Sequence, residues 1–196
     1  MNIARVLSVN VGQARPIAAK SGMSGIDKRP VAGAVSVRAP GPKDSGPHGA
    51  VGSGLAGDAV CDRENHGGED QAVYAYARED LDVWQALLDR PLVSGSFGEN
   101  LTTVGIDVTA ALVGERWRIG EHLVLEVTSP RLPCRTFAVW LGRQGWVKTF
   151  TERALPGAYL RVVEPGMVQA GDQIEVVDKP SHSVTIGSMF RALIAR

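Results

Sequence analysis

The stretch His122-Leu-Val-Leu-Glu-Val-Thr-Ser-Pro-Arg-Leu-Pro-Cys-Arg-Thr-Phe-Ala-Val-Trp-Leu141 contains a strand, a corner and the start of a helix. Leu123, Leu125 and Val127 alternate with Val124, Glu126 and Thr128, which is the period of a strand. From Thr136 onward the residues read as helix. Pro133 suits a helical first turn, where its missing N–H is not needed. Cys134 then stands at the corner, with Arg131 and Arg135 on either side. A helix N-terminus and nearby cations favour the thiolate, the form that acts as nucleophile or metal ligand. Locally, a buried and inert cysteine is an equally good reading.

Outward from this corner the chain is mostly short strands. Strand-like runs fall at 3–9, 33–38, 71–76, 101–104, 115–119, 122–128, 158–163 and 173–178. In the run at 71–76, Tyr74 and Tyr76 share one face. The clearest helix is 78–90, with Leu81, Trp84, Leu87 and Leu88 as its apolar stripe, acids in the first turn and Pro91 as its stop. A second helical region is expected over 134–153, and one short helix in the tail after 184. Many short strands with few helices predict a mainly β (α+β) fold, a barrel or strongly bent sheet.

The 196 residues suit one domain with a full core, expected over 1–180, with 181–196 as a short tail. Apolar residues make up 44% and charged residues 21%, as in an ordinary globular protein. Lys plus Arg and Asp plus Glu balance at 21 each, so no global field draws in a nucleic-acid polymer or an acidic membrane. No apolar run approaches membrane-spanning length, and the N-terminus lacks a signal-peptide apolar region, so a cytoplasmic location is expected. Cys61 and Cys134, the two cysteines, form neither a disulfide framework nor a CxxC zinc signature.

Polar segments interrupt the strands. Gly22 to Pro30 reads as a turn carrying the adjacent cations Lys28 and Arg29. Residues 39–57 are rich in glycine and proline and predict a long irregular loop, of the kind that is more often functional than idle. Asp58, Asp62, Glu64 and Asp70 would suit a hard cation by residue type, but their spacing matches no EF-hand loop. GxGxxG and GxxxxGK[ST] are both missing, and the four histidines are too scattered for a zinc site.

Five ordered motifs then resemble one family. They are Met23-Ser-Gly-Ile-Asp-Lys-Arg-Pro30, Gly54-Leu-Ala-Gly-Asp58, His66-Gly-Gly-Glu-Asp-Gln-Ala-Val-Tyr-Ala-Tyr76, Phe97-Gly-Glu-Asn-Leu-Thr102 and Pro130-Arg-Leu-Pro-Cys134. Their order and content, over about residues 5–178, are similar to MOSC-domain proteins, relatives of the C-terminal domain of molybdenum cofactor sulfurase. The similarity is strongest to the YiiM-like bacterial branch. Departures are Glu115 after Gly114 where many relatives carry aspartate, a longer loop at 39–53, and a shorter helical tail.

The resemblance implies a β-barrel-like fold with a few peripheral helices, and a bound molybdenum cofactor (molybdopterin) with Cys134 as the molybdenum ligand. Lys28 and Arg29 would cradle its phosphate, Arg131 would keep Cys134 ionised, His66 and Asn100 would bond the pterin or a metal oxo group, and Tyr76 would line the pocket or donate a proton. The implied activity is reduction of small N-hydroxylated compounds such as hydroxylamino-purines, N–OH to N–H. No flavin, haem or iron–sulfur motif is visible, so electrons are expected from a separate reductase. Two other readings stand beside it: a sulfur or cofactor carrier with a Cys134 persulfide, and a small-anion binding module.

Overall fold

The computed structural model describes residues 3–41, 52–62 and 64–195. Most of the Gly/Pro-rich segment expected as a functional loop lies outside the described residues. The first strands are β1 (Arg5–Gly12), β2 (Arg15–Pro16), β3 (Met23–Ser24), β4 (Lys28–Pro30) and β5 (Val35–Val37). After a 3-10 turn at Glu69–Gln71 come β6 (Val73–Ala77), α1 (Arg78–Leu88), β7 (Leu101–Val104), β8 (Arg116–Ile119) and β9 (Leu123–Pro130). Helices α2 (Arg135–Leu141) and α3 (Trp146–Arg153) follow. The chain continues through β10 (Ala158–Glu164), β11 (Gly166–Val168), β12 (Ile174–Asp178) and α4 (Ile186–Ile194).

An eight-stranded sheet in the order β12-β8-β9-β10-β6-β7-β1-β4 carries the fold. Its β6–β7 pair is parallel, connected through α1, and its other pairs are antiparallel. The sheet bends far enough for Gln173, just before β12, to bridge Arg5 in β1. Val6 N–H donates to Asp172 O and Ile174 N–H to Ala4 O, both at 2.8 Å, beside that bridge. The expected mainly β, bent-sheet fold is therefore what forms, although the sheet does not close as a full barrel. Val6, Val9, Val73, Leu101, Trp117, Leu123, Leu125 and Leu160 fill its interior.

A second, aromatic core lies between the sheet and the helices. Trp84 stacks on Phe150 at 5.6 Å between ring centroids and meets Trp146 at 4.9 Å, while Phe97 packs edge-on against Phe137 at 5.0 Å. Such pairs contribute about 0.5–1.5 kcal/mol each beyond their buried area. The stripe read on α1 enters this core through Leu81 and Trp84, whereas Leu87 is exposed. The tail set apart at 181 also joins it: a Thr185–Ser188 capping box starts α4, and Phe190 packs on Phe150 at 6.1 Å.

The helical region expected over 134–153 forms as two helices. Gly142 takes φ 62° and Gly145 φ 72°, left-handed values that glycine adopts without the Cβ penalty, and the chain turns between them. The expected turn at 22–30 contains β3 and β4.

One carboxylate in α1 makes stability depend on pH. Burial first, then the Asp107 and Glu79 carboxylates, push the Asp80 pKa from its ordinary 3.8 up to about 6. The folded chain thus holds this proton more tightly than the unfolded chain. The contribution is fully present below the unfolded value and is lost as pH rises through about 6. Asp80→Asn is expected to add about 1–3 kcal/mol of stability near pH ~7.5 and little near pH ~4. Urea unfolding at the two pH values checks this, and an equal gain at both would contradict it.

Candidate functional site

Strand alternation sends neighbouring residues to opposite faces. In β4 it turns Lys28 inward, where it is buried, and leaves the Arg29 side chain 62% exposed and paired with Asp27 at 2.6 Å. The expected two-cation cradle is therefore not formed, and Arg29 does not line the cavity that Lys28 enters. Lys28 is paired instead: its Nζ meets Asp58 Oδ1, which also accepts from the Gly12 backbone N–H at 2.7 Å. Burial pulls the Lys28 pKa down, and Asp58 opposes the pull. Asp58 is thus taken by Lys28, and Asp70 by Arg161, two of the four acids weighed as a hard-cation site. No metal-binding group of three or more His, Cys, Asp or Glu exists among the described residues.

Asn100 lines the same cavity beside this pair. Its Nδ2 donates to Asp58 Oδ2 at 2.9 Å and to Asn10 O at 3.3 Å, and its Oδ1 accepts from Tyr74 N–H at 3.1 Å. The amide thereby ties β1 to β6 and fixes Asp58. The loop before it wraps around Glu99, whose fully buried carboxylate accepts from Gly95 N–H at 2.6 Å, Phe97 N–H at 2.9 Å and Thr102 Oγ1 at 2.9 Å. Burial raises the Glu99 pKa, and these donors resist the rise.

The ordered loop presents Phe97 O to Arg131 Nη1 at 2.9 Å. The Arg131 guanidinium is clamped over the Phe137 ring at 4.6 Å and the Tyr74 ring at 5.1 Å. Burial alone lowers its pKa, but Tyr159, Tyr74 and Cys134 outweigh burial, so the net shift is upward and the group stays cationic. Its buried Nε has no hydrogen-bond partner among the described residues. Cys134 itself is the N-cap residue of α2, in extended backbone, with its side chain not used as a cap. The helix starts two residues later than Pro133 suggested. Arg135 is exposed.

Lys28, His66, Asn100, Arg131 and Cys134 thus line one cavity, as do Asp58 and Tyr159. One wall is set by close backbone packing. A Cβ on Gly25 would come within 2.0 Å of Ala59 O, so only glycine fits there. Tyr76 does not reach the cavity. It is fully buried in the aromatic core, where its hydroxyl donates to Leu155 O at 2.6 Å and accepts from Trp84 Nε1 at 2.7 Å. The tyrosines that do line it are Tyr74 and Tyr159, and the Tyr159 hydroxyl lies 3.2 Å from His66 Nδ1. Cys61 lines the cavity too, and neither cysteine is in a disulfide.

The sequence model of the MOSC domain matches residues 62–175, more than half of the chain and the part that includes His66, Asn100, Arg131 and Cys134. The chain belongs to the MOSC domain family. The uncharacterized protein YflK of Bacillus subtilis is 32% identical over 183 residues, 92% of this chain and 76% of YflK. The crystal structure of YiiM from Geobacillus stearothermophilus is 25% identical with a TM-score of 0.74, covering 97% of this chain and 83% of that one. This places the MOSC domain on its YiiM-like branch. A Gibberella moniliformis protein named "Reductase" is 26% identical over 149 residues, 74% of this chain but 26% of that protein. Among the described residues no helix is long and apolar enough to cross a membrane.

MOSC domains are associated in general with binding of the molybdenum cofactor, and the residues lining this cavity fit such a group. A thiol not used as a cap supplies a soft ligand, and a buried cation with an unpartnered Nε supplies a donor for an anionic or oxo group. Asp58 and Glu99 were within reach of sequence reading, since both sit inside motifs quoted for Lys28 and Asn100. Tyr159 carried no such signal: it stands in an ordinary strand, outside every motif.

Proposed function

We propose that this MOSC domain binds the molybdenum cofactor in the cavity and reduces small N-hydroxylated compounds, N–OH to N–H. Cys134 is the ligand that holds the metal, and Arg131 steadies the negative charge gathered there. When bound, the cofactor supplies a centre that accepts and passes on two electrons. Lys28 and Asp58 act as a neutral, rigid ion pair that holds the cavity wall, and Asn100 locks that pair to the sheet. Electrons come from a separate reductase. The observation that supports this reading best is the Cys134 side chain on the cavity beside a buried arginine whose Nε lacks a partner.

A second reading has one specific observation in its favour. Cys61 lines the same cavity as Cys134, which suits a persulfide carried on Cys134 and released to a second thiol. The two readings separate in one assay. Protein from a host that makes the cofactor, supplied with reduced viologen and a hydroxylamino-purine, is expected to yield the amino-purine. Loaded protein that leaves the substrate intact would contradict the reductase reading.

A further inference from the structure

Resting on the reductase reading, we propose that Tyr159 and His66 form the proton-delivery pair of this site. Tyr159 acts as the acid toward the departing hydroxyl oxygen, and His66 restores its proton. Reduction of R–NH–OH to R–NH2 and water consumes two electrons, from the separate reductase, and two protons. The N–O bond breaks and an N–H bond forms. The other proton joins the departing hydroxide, and this proton must be delivered within the cavity.

The chain has three tyrosines, and their hydroxyls differ in what they bond. Tyr74 donates to Pro156 O at 2.7 Å and Tyr76 to Leu155 O at 2.6 Å, so both protons are committed to backbone carbonyls. The Tyr159 hydroxyl instead lies 3.2 Å from His66 Nδ1, a ring nitrogen that can either donate or accept a proton. Both side chains line the cavity with Cys134. Tyr159 is placed there by register: in β10 it pairs with Ser129 on one side and Tyr74 on the other, next to the segment that leads to Arg131 and Cys134. Burial raises its pKa, with Arg131 opposing and Cys134 adding, so the phenol keeps its proton at neutral pH. As Tyr159 gives its proton to the departing oxygen, a proton on His66 Nδ1 replaces it.

The test has two arms. In cofactor-free protein, NMR titration of His66 is expected to shift when Tyr159→Phe removes the hydroxyl. A titration unmoved by that substitution would overturn the pairing. In loaded protein, Tyr159→Phe is expected to lower kcat by about a hundredfold or more, while KM moves less than about threefold and molybdenum content is kept. His66→Gln is expected to abolish the fall of kcat with rising pH that an imidazolium donor imposes. Active wild type together with a fully active Tyr159→Phe, or loss of molybdenum in step with activity, overturns the relay alone. Loaded wild type that cannot reduce N–OH overturns the reductase reading, and the relay with it.

Discussion

Glu99→Ala is expected to destabilise the fold by about 3 kcal/mol or more, because it leaves buried donors without an acceptor. The carboxylate receives Gly95 N–H, Phe97 N–H and Thr102 Oγ1, and no water-facing alternative exists for a side chain that is 0% exposed. Each orphaned donor costs about 1–3 kcal/mol, offset in part by relief of the desolvated carboxylate. Phe97 O, which holds Arg131, belongs to the same loop, so cofactor binding is expected to fall with stability. Glu99→Gln keeps the shape but turns one acceptor into a donor, so a smaller loss of about 1–2 kcal/mol is expected. Urea unfolding of both variants measures this. If Glu99→Ala unfolds at the wild-type midpoint, the loop is not organised around that carboxylate.

Cys134→Ser is expected to cut molybdenum retention by more than about a hundredfold, since changes merely behind a metal's ligands already cost about 10–100-fold. A hydroxyl is a poor substitute for a thiolate ligand, and Ser at an N-cap is favourable, so the fold itself should be unharmed. Cys61→Ser is expected to keep the metal. In cofactor-free protein, Cys134 should alkylate faster than Cys61, because it shares its cavity wall with the Arg131 guanidinium while an acid, Asp62, follows Cys61 directly in the chain. Peptide mapping after brief alkylation distinguishes the two, which matters because both face the cavity. A faster Cys61, or a Cys134→Ser variant that retains its metal, would remove Cys134 from the centre of the site.

The fold was legible where period and punctuation agreed. Alternation at 122–128 and 71–76, and the capped stripe at 78–90, correspond to β9, β6 and α1. The helical region at 134–153 also forms, but the break inside it was not legible, because only the left-handed backbone angles at Gly142 and Gly145 reveal it. In the site, the motifs placed Lys28, His66, Asn100, Arg131 and Cys134 on one cavity. They did not say which of two adjacent residues a strand turns inward, so Arg29 was misplaced. Tyr76 was chosen for its motif, yet its neighbour two positions back on the same face, Tyr74, lines the cavity while Tyr76 serves the aromatic core. Tyr159 reaches the site only through pairing of β10 with β6 and β9, a long-range register that no local motif encodes.

Molybdenum and pterin content per protein chain, measured on protein purified from a cofactor-competent host, bears most directly on the central claim. The account predicts stoichiometric molybdenum and pterin in the wild type and in Cys61→Ser, and loss of the metal in Cys134→Ser. Wild-type protein that contains neither, with a persulfide on Cys134 instead, would contradict it.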